Sequence, residues 1–165
     1  MTETDALTHV KNRTAFEGRQ GDLQTKMQLT VKPQFAIAVF DVNNLKKIND
    51  GLGHEAGDEY IINCCRLICR IFKKSAVYRI GGDEFVVVME NDDYENRDLL
   101  LQSMRDEMAE LASKDIPIYE KISIASGMSV YDSENDFIIS DIFSRADAAM
   151  YENKAQMKKQ LSSPS

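Results

Sequence analysis

The succession of apolar patterns along this chain predicts an α/β (α+β) domain of the ferredoxin-like kind. This is a split β-α-β-β-α-β unit with a central, mostly antiparallel sheet and helices packed around it. Three observations predict it. Phe35 to Phe40 is an unbroken apolar run, the pattern of a strand buried on both faces. Val77–Ile80 and Phe85–Met89 are two short apolar runs on either side of Gly81-Gly82, which reads as a hairpin. Ile122 to Val130 alternates as a half-buried strand would. The stretches between these runs carry helical spacing.

In chain order, residues 1–12 form a polar lead-in anchored by Leu7 and Val10. Asn12 can cap the helix expected from Arg13 to Leu29, and Pro33 breaks the pattern before the first strand. That strand ends in Asp41. A short helix from Val42 to Asp50 is expected next, with Leu45 and Ile48 facing inward, and Gly51, Gly53 and His54 mark the next turn. Glu55 to Phe72 reads as a long amphipathic helix, since Tyr60, Cys64, Leu67, Ile68 and Ile71 recur at helical spacing. After the hairpin, Asn91 to Tyr94 is expected to be a polar loop. Glu95 to Ser113 is expected to be a helix with Leu100, Met104, Met108 and Leu111 inside. The last helix is expected from Ser140, as its cap, to about Met157, with residues 159–165 a frayed tail. One helical connection is thus doubled relative to the simplest split pattern.

The 165 residues suit a single domain, and a hydrophobic content of 43% with 28% charged residues is ordinary for a globular chain. No apolar run is long enough to cross a bilayer and no leader is legible, so a cytoplasmic location is expected. Sensor or regulatory segments could still lie outside this chain. The net charge of −7 argues against a nucleic-acid polymer as partner, which would need clustered Lys and Arg. It leaves room for a nucleotide held by metal ions and a few local cations. The three cysteines, Cys64, Cys65 and Cys69, fall in one helical stretch and complete no zinc spacing. Cys65 and Cys69 stand one turn apart, where a metal pair is conceivable, but packing is the expected role.

The hairpin turn carries the chemistry. Gly81-Gly82 is expected to supply the positive φ angles of a two-residue turn, with Asp83 and Glu84 immediately behind. The ferredoxin-like topology lays the first strand beside the hairpin, which brings Asp41 towards Asp83 and Glu84. Three carboxylates meeting there would repel one another and raise one another's pKa values. Divalent cations such as Mg²⁺, which take oxygen ligands and share them with phosphates, resolve that conflict.

Gly81-Gly82-Asp83-Glu84-Phe85 resembles the signature of the GGDEF family, the diguanylate cyclases. Further blocks resemble that family in the right order. They are Asp5-Ala6-Leu7-Thr8-His9-Val10-Lys11-Asn12-Arg13, Asp41 to Asp50, Gly53-His54-Glu55-Ala56-Gly57-Asp58, Ser126-Gly127, and Ala146 to Lys154. The resemblance covers Asp5 to about Lys158. It implies a nucleotidyl-cyclase fold and the condensation of two GTP into cyclic di-GMP with release of pyrophosphate. It also implies one GTP per domain in a homodimer and two Mg²⁺ or Mn²⁺ ions per site. By the same resemblance Asp41, Asp83 and Glu84 are the catalytic acids and side-chain metal ligands, the Val42 carbonyl is a backbone ligand, and Asp83 is the base. Asn49 and Asp58 would read guanine, a role their amide and carboxylate suit. Lys46, Lys154 and Lys158 would contact phosphates, and Gly81 and Gly82 would let backbone approach the nucleotide.

Three departures from the family pattern stand out. Met157 and Lys158 replace a common Gly-Arg, so the phosphates lose a bidentate fork. Phe72 and Ser75 occupy the Arg and Asp positions of the R-x-x-D product site, so that brake is expected to be absent. Asn43 and Asn44 stand where other members often have Asp and an aromatic. The alternative to an active cyclase is a catalytically weak or inactive module that binds GTP or a protein partner.

Overall fold

The computed structural model describes residues 2–162, and side chains through Gln160. Helix α1 (Arg13–Met27) leads to strand β1 (Ala36–Val42), then to α2 (Leu45–Leu52) and α3 (His54–Ile71). The hairpin β2 (Ala76–Arg79) and β3 (Glu84–Met89) follows, then the single-turn α4 (Asn91–Glu95) and α5 (Arg97–Ala112). Strand β4 (Ile124–Val130) and helix α6 (Ile139–Ser162) complete the chain. The sheet order is β2-β3-β1-β4, antiparallel at every pair, which is the ferredoxin-like arrangement.

Each face of the sheet is covered. Ala36, Ala38, Phe40, Phe85, Val87 and Met89 pack against α3 and α5 on one side. Phe35, Ile37, Val39, Val86 and Val88 pack against α1 and α6 on the other. Period-2 alternation therefore separates two cores rather than core from water, and β1 and β3 read as continuous apolar runs. The same coverage corrects the half-buried reading of β4: five of its seven residues are buried, and Met128 and Val130 are partly so. Gly127 lies directly under α6. A Cβ there would come within 2.2 Å of the Met150 nitrogen and 2.3 Å of the Ala146 carbonyl oxygen.

Other boundaries also moved. Asn91–Glu95 is a helical turn, not a loop; Asp92 and Asp93 suit its N-terminal end, and the buried Asp93 accepts from Ser75 Oγ at 2.5 Å and Lys74 N at 3.2 Å. The last helix runs to Ser162, through most of the segment expected to fray, since no Gly or Pro intervenes before Pro164. Residues 163–165 lie outside the described residues. Ser140 sits inside that helix rather than capping it. The Gln24 side chain on α1 does that work, accepting from Ile139 N at 2.7 Å and donating to Phe137 O at 2.9 Å. Asn12 caps α1 as expected, its Oδ1 accepting from Ala15 N at 3.1 Å. The lead-in covers the outer edge of β2, where Lys11 N donates to Val77 O and Arg79 N donates to Lys11 O. No described helix is long and apolar enough to cross a membrane.

Candidate active site

Antiparallel register brings the acids together. Asp41, at the end of β1, pairs with Glu84 at the start of β3. Paired residues share a face, here the one that α6 covers. Val42 N donates to Asp83 O at 2.8 Å, which draws the hairpin turn onto the end of β1.

The turn is wider than the sequence suggests. Ile80 N donates to Glu84 O at 2.9 Å, so Gly81, Gly82 and Asp83 form a three-residue loop. Neither glycine adopts positive φ; among the described glycines only Gly53 does. Arginines of β2 and α1 hold the loop instead of a tight turn. Arg79 donates to the Gly82 carbonyl at 2.7 Å and pairs with Asp5 of the lead-in at 3.1 Å. Arg13 donates to the Ile80 carbonyl at 2.9 Å. Asp5 is fixed in turn by Thr8, whose N and Oγ1 donate to it at 2.9 and 2.7 Å. A Cβ on Gly82 would meet no protein atom within 4 Å, so the glycine leaves open space beside the turn.

The electrostatics are those of crowded acids. Burial pushes the Asp83 carboxyl above the usual carboxylate range, and the neighbouring Asp41 adds to the shift. Burial also raises Glu84, helped by the charges of Asp147, Asp41 and Asp83 and partly offset by Arg13. Lys154, from α6, donates to Asp41 Oδ2 at 2.8 Å. Burial works against the Lys154 charge, but the Asp41 carboxylate more than restores it, and its pKa is raised. Asp41 Oδ1 is buried with no hydrogen-bond partner. An orphaned anionic oxygen is costly unless a cation meets it. Hard carboxylate oxygens and a nearby carbonyl fit Mg²⁺ or Mn²⁺. Among the described residues no three acid, His or Cys side chains already close round a common point. Lys154 fills part of that space, as an internal counter-charge to Asp41.

The remaining residues named from sequence divide by position. Asn49 lies half-buried at the end of α2, and Asp58 is exposed on the first turns of α3. Gly57 sits between them in the chain, and a Cβ on it would stand 1.7 Å from Asn49 Oδ1. The missing side chain is what lets Asn49 lie against α3, at the residue just before Asp58 in the chain, a support role the sequence reading did not assign to Gly57. Lys46 is exposed on the first turn of α2, and Lys158 is exposed on α6 one turn beyond Lys154. Asn43 Nδ2 donates to Ser123 Oγ at 3.1 Å and to Met157 Sδ at 3.5 Å. Two of the departures, Asn43 and Met157, are therefore in contact. Behind them Tyr60 OH donates to the Asn43 carbonyl at 2.7 Å and braces the β1–α2 turn, where Asn44 takes φ of 70°. Phe72 is a core residue stacked at a tilt on Phe40, and Ser75 is engaged by Asp93. All three cysteines are free, with Cys65 and Cys69 Sγ 4.0 Å apart.

Comparison with known proteins gives one answer. The family profile described as "Diguanylate cyclase, GGDEF domain" matches residues 2–160. The chain is 30% identical over 158 residues to the probable diguanylate cyclase DgcT of Escherichia coli, covering 93% of this chain and 34% of that protein. It is also 30% identical over 158 residues to a diguanylate cyclase of Vibrio cholerae, covering 93% and 47%. The chain thus spans between a third and a half of the length of these relatives. Among solved structures, the GGDEF domain of DgcB from Caulobacter crescentus, in complex with c-di-GMP, superposes with a TM-score of 0.79 at 24% identity, covering 94% and 92% of the two chains. The GGDEF domain of YfiN (TpbB) from Pseudomonas aeruginosa superposes with a TM-score of 0.74 at 28% identity, covering 90% and 92%. The register of Asp41 with Glu84, the loop at Gly81-Gly82-Asp83 and a family match across nearly every residue agree: this chain belongs to the GGDEF domain family of diguanylate cyclases.

Proposed function

We propose that this chain is an active catalytic domain that condenses two GTP into cyclic di-GMP and pyrophosphate, one GTP held by each of two facing copies. The observation that carries this reading is Asp41. Its Oδ1 is buried and orphaned, beside Glu84 in register and Asp83 in the adjoining loop. Asp41, Asp83 and Glu84, with the Val42 carbonyl, would hold two Mg²⁺ or Mn²⁺ ions. Such ions, when bound, lower the pKa of the attacking 3′-hydroxyl and offset the charge that builds on the α-phosphate and leaving group.

The chain's own residues do the rest. Asp83, whose pKa is raised by burial and by Asp41, is thereby made a stronger base for the hydroxyl proton than an ordinary carboxylate. Asn49, seated against Gly57, and Asp58 read the guanine edge, the carboxylate accepting from N1–H and the amino group. Lys154 exchanges Asp41 for triphosphate oxygens, joined by Lys46 on α2 and Lys158 one turn further along α6. The open space beside Gly82 admits the nucleotide close to backbone. Phe72 and Ser75 offer neither fork nor charge, so the usual product brake is absent.

The test is to incubate the protein with GTP or ATP and Mg²⁺ and identify the products by mass. Cyclic di-GMP from GTP alone supports the reading. Tight GTP binding with no product at high protein concentration overturns it in favour of a binding module.

A further inference from the structure

The three cysteines of α3 have different surroundings. Cys64 is sealed in the core beside Tyr60, and burial pushes its thiol up. Cys65 and Cys69 stand one helical turn apart with their Sγ atoms 4.0 Å from each other. Cys65 is buried and Cys69 is half-buried, so solvent reaches the pair from the Cys69 side. A hydrogen bond from the Cys65 thiol lowers the Cys69 pKa to about 7 against the opposing effect of burial, which favours the reactive thiolate at the open position. The lead-in closes over the same turn. Leu7 and Val10 pack on the core that contains Cys65, and the Thr8 side chain meets the Cys65 thiol. Thr8 also donates twice to Asp5, which pairs with Arg79.

We infer that Cys69 and Cys65 form a hydroperoxide-reactive thiol pair, a reversible oxidation site whose closure to a disulfide loosens the lead-in. The Cys69 thiolate attacks the outer oxygen of the hydroperoxide. The O–O bond breaks, the alkoxide leaves and takes up a proton, and Cys69 becomes a sulfenic acid. The Cys65 sulfur then attacks the Cys69 sulfur, the S–O bond breaks, and hydroxide leaves with the Cys65 proton as water. Two thiols have become one disulfide, and the hydroperoxide has become alcohol and water. Cys65 needs no solvent access for its step, because the sulfur it attacks is already its neighbour. The bond so formed is strained. Helix neighbours four residues apart hold their Cβ atoms roughly 5–6 Å apart. A disulfide draws Cβ atoms to about 3.5–4.5 Å. Closure therefore deforms the turn of α3 beneath Thr8, and a strained disulfide is the readily reduced kind. The pair shares no residue with the proposed metal and nucleotide site, so its chemistry does not depend on cyclase activity.

Treatment of the full, reduced chain with hydrogen peroxide in the presence of a chelator tests this, read by intact mass, thiol titration and amide hydrogen exchange. Expected are an unlinked chain lighter by two hydrogens, a fall from three titratable thiols to one, a peptide map joining Cys65 to Cys69, and recovery with dithiothreitol. Amides of the lead-in, residues 5–12, should exchange about tenfold faster in the oxidised chain. Cys65→Ser, which cannot close the bond, should stop at a Cys69 sulfenic acid that dimedone traps, and Cys69→Ser should keep both of its thiols. If the buried Cys65→Ser fails to fold, the wild-type peptide map and Cys69→Ser, changed at a half-buried position, still decide. Three intact thiols in excess peroxide, oxidation of Cys69 past the sulfenic acid without a disulfide, or a disulfide formed only between chains overturns the site. Unchanged exchange of the lead-in in the disulfide-bonded chain overturns its coupling to the lead-in.

Discussion

Asp83 and Glu84 sit above the carboxylate range because burial and neighbouring charge both penalise their ionised forms. The sign of the linkage follows. A carboxyl whose folded pKa exceeds its unfolded value stabilises the fold while protonated, and that contribution is lost as pH rises through the raised value. We predict that metal-free Glu84→Gln melts higher than wild type at neutral pH, and that the gain shrinks as pH falls towards the ordinary Glu value of 4.5. Added Mg²⁺ should reverse the order, since the wild-type carboxylate then has a partner. A melting temperature for Glu84→Gln below wild type at neutral pH without metal would contradict this. Gly57 gives a second test at the same scale. In Gly57→Ala the new Cβ would stand 1.7 Å from Asn49 Oδ1, the end of a side chain that can swing aside. The fold should survive, while the misplaced amide costs about ten- to a hundredfold in kcat/KM for GTP. Steady-state kinetics checks it, and unchanged kcat/KM would remove Asn49 from guanine recognition.

At the scale of elements, α6 matters most to the site, because it brings Lys154 to the end of β1, where it meets Asp41. Its seat on β4 depends on Gly127, where backbone atoms leave no room for a methyl group. We predict that Gly127→Ala costs about 3 kcal/mol by overpacking and weakens Mg²⁺ and GTP binding together, measured by denaturant unfolding and calorimetry. Loss of stability with binding intact would separate α6 from the site. Much of this layer was legible in the sequence. The continuous run Phe35 to Phe40, the paired runs around Gly81-Gly82 and the helical stripe from Tyr60 to Ile71 each had one physical interpretation, and the register of Asp41 with Glu84 follows from their topology. What escaped was set by partners distant in sequence. The turn at Gly81 to Asp83 is tied down by Val42 N on the Asp83 carbonyl and by Arg13 on the Ile80 carbonyl. The N-terminus of α6 is capped by Gln24 from α1. The second buried face of β4 exists because α6 returns over it, and no local period records that. Gly57 was visible as a letter in a motif, but its role depends on the Asn49 side chain that lies against it in space.

For the whole molecule, the proposed chemistry exceeds what one copy holds. A single domain presents one set of acids and one proposed guanine-reading pair, Asn49 and Asp58, whereas the proposed product joins two nucleotides. The chain spans between a third and a half of the length of the relatives it matches. We predict that turnover per domain rises with protein concentration, and that fusion to a dimeric coiled coil removes this dependence and raises the rate at low concentration. Specific activity independent of concentration throughout the monomeric range would contradict the two-copy arrangement.

The central claim is that the acids gathered at the ends of β1 and β3 form a working metal site for GTP condensation. Product analysis of Asp41→Asn beside wild type, both with GTP and Mg²⁺ at high protein concentration, addresses it most directly. We predict cyclic di-GMP and pyrophosphate from wild type and a loss of at least about a thousandfold in Asp41→Asn, with the variant still folded. Equal yields of cyclic di-GMP from the two proteins, or none from either, would contradict it.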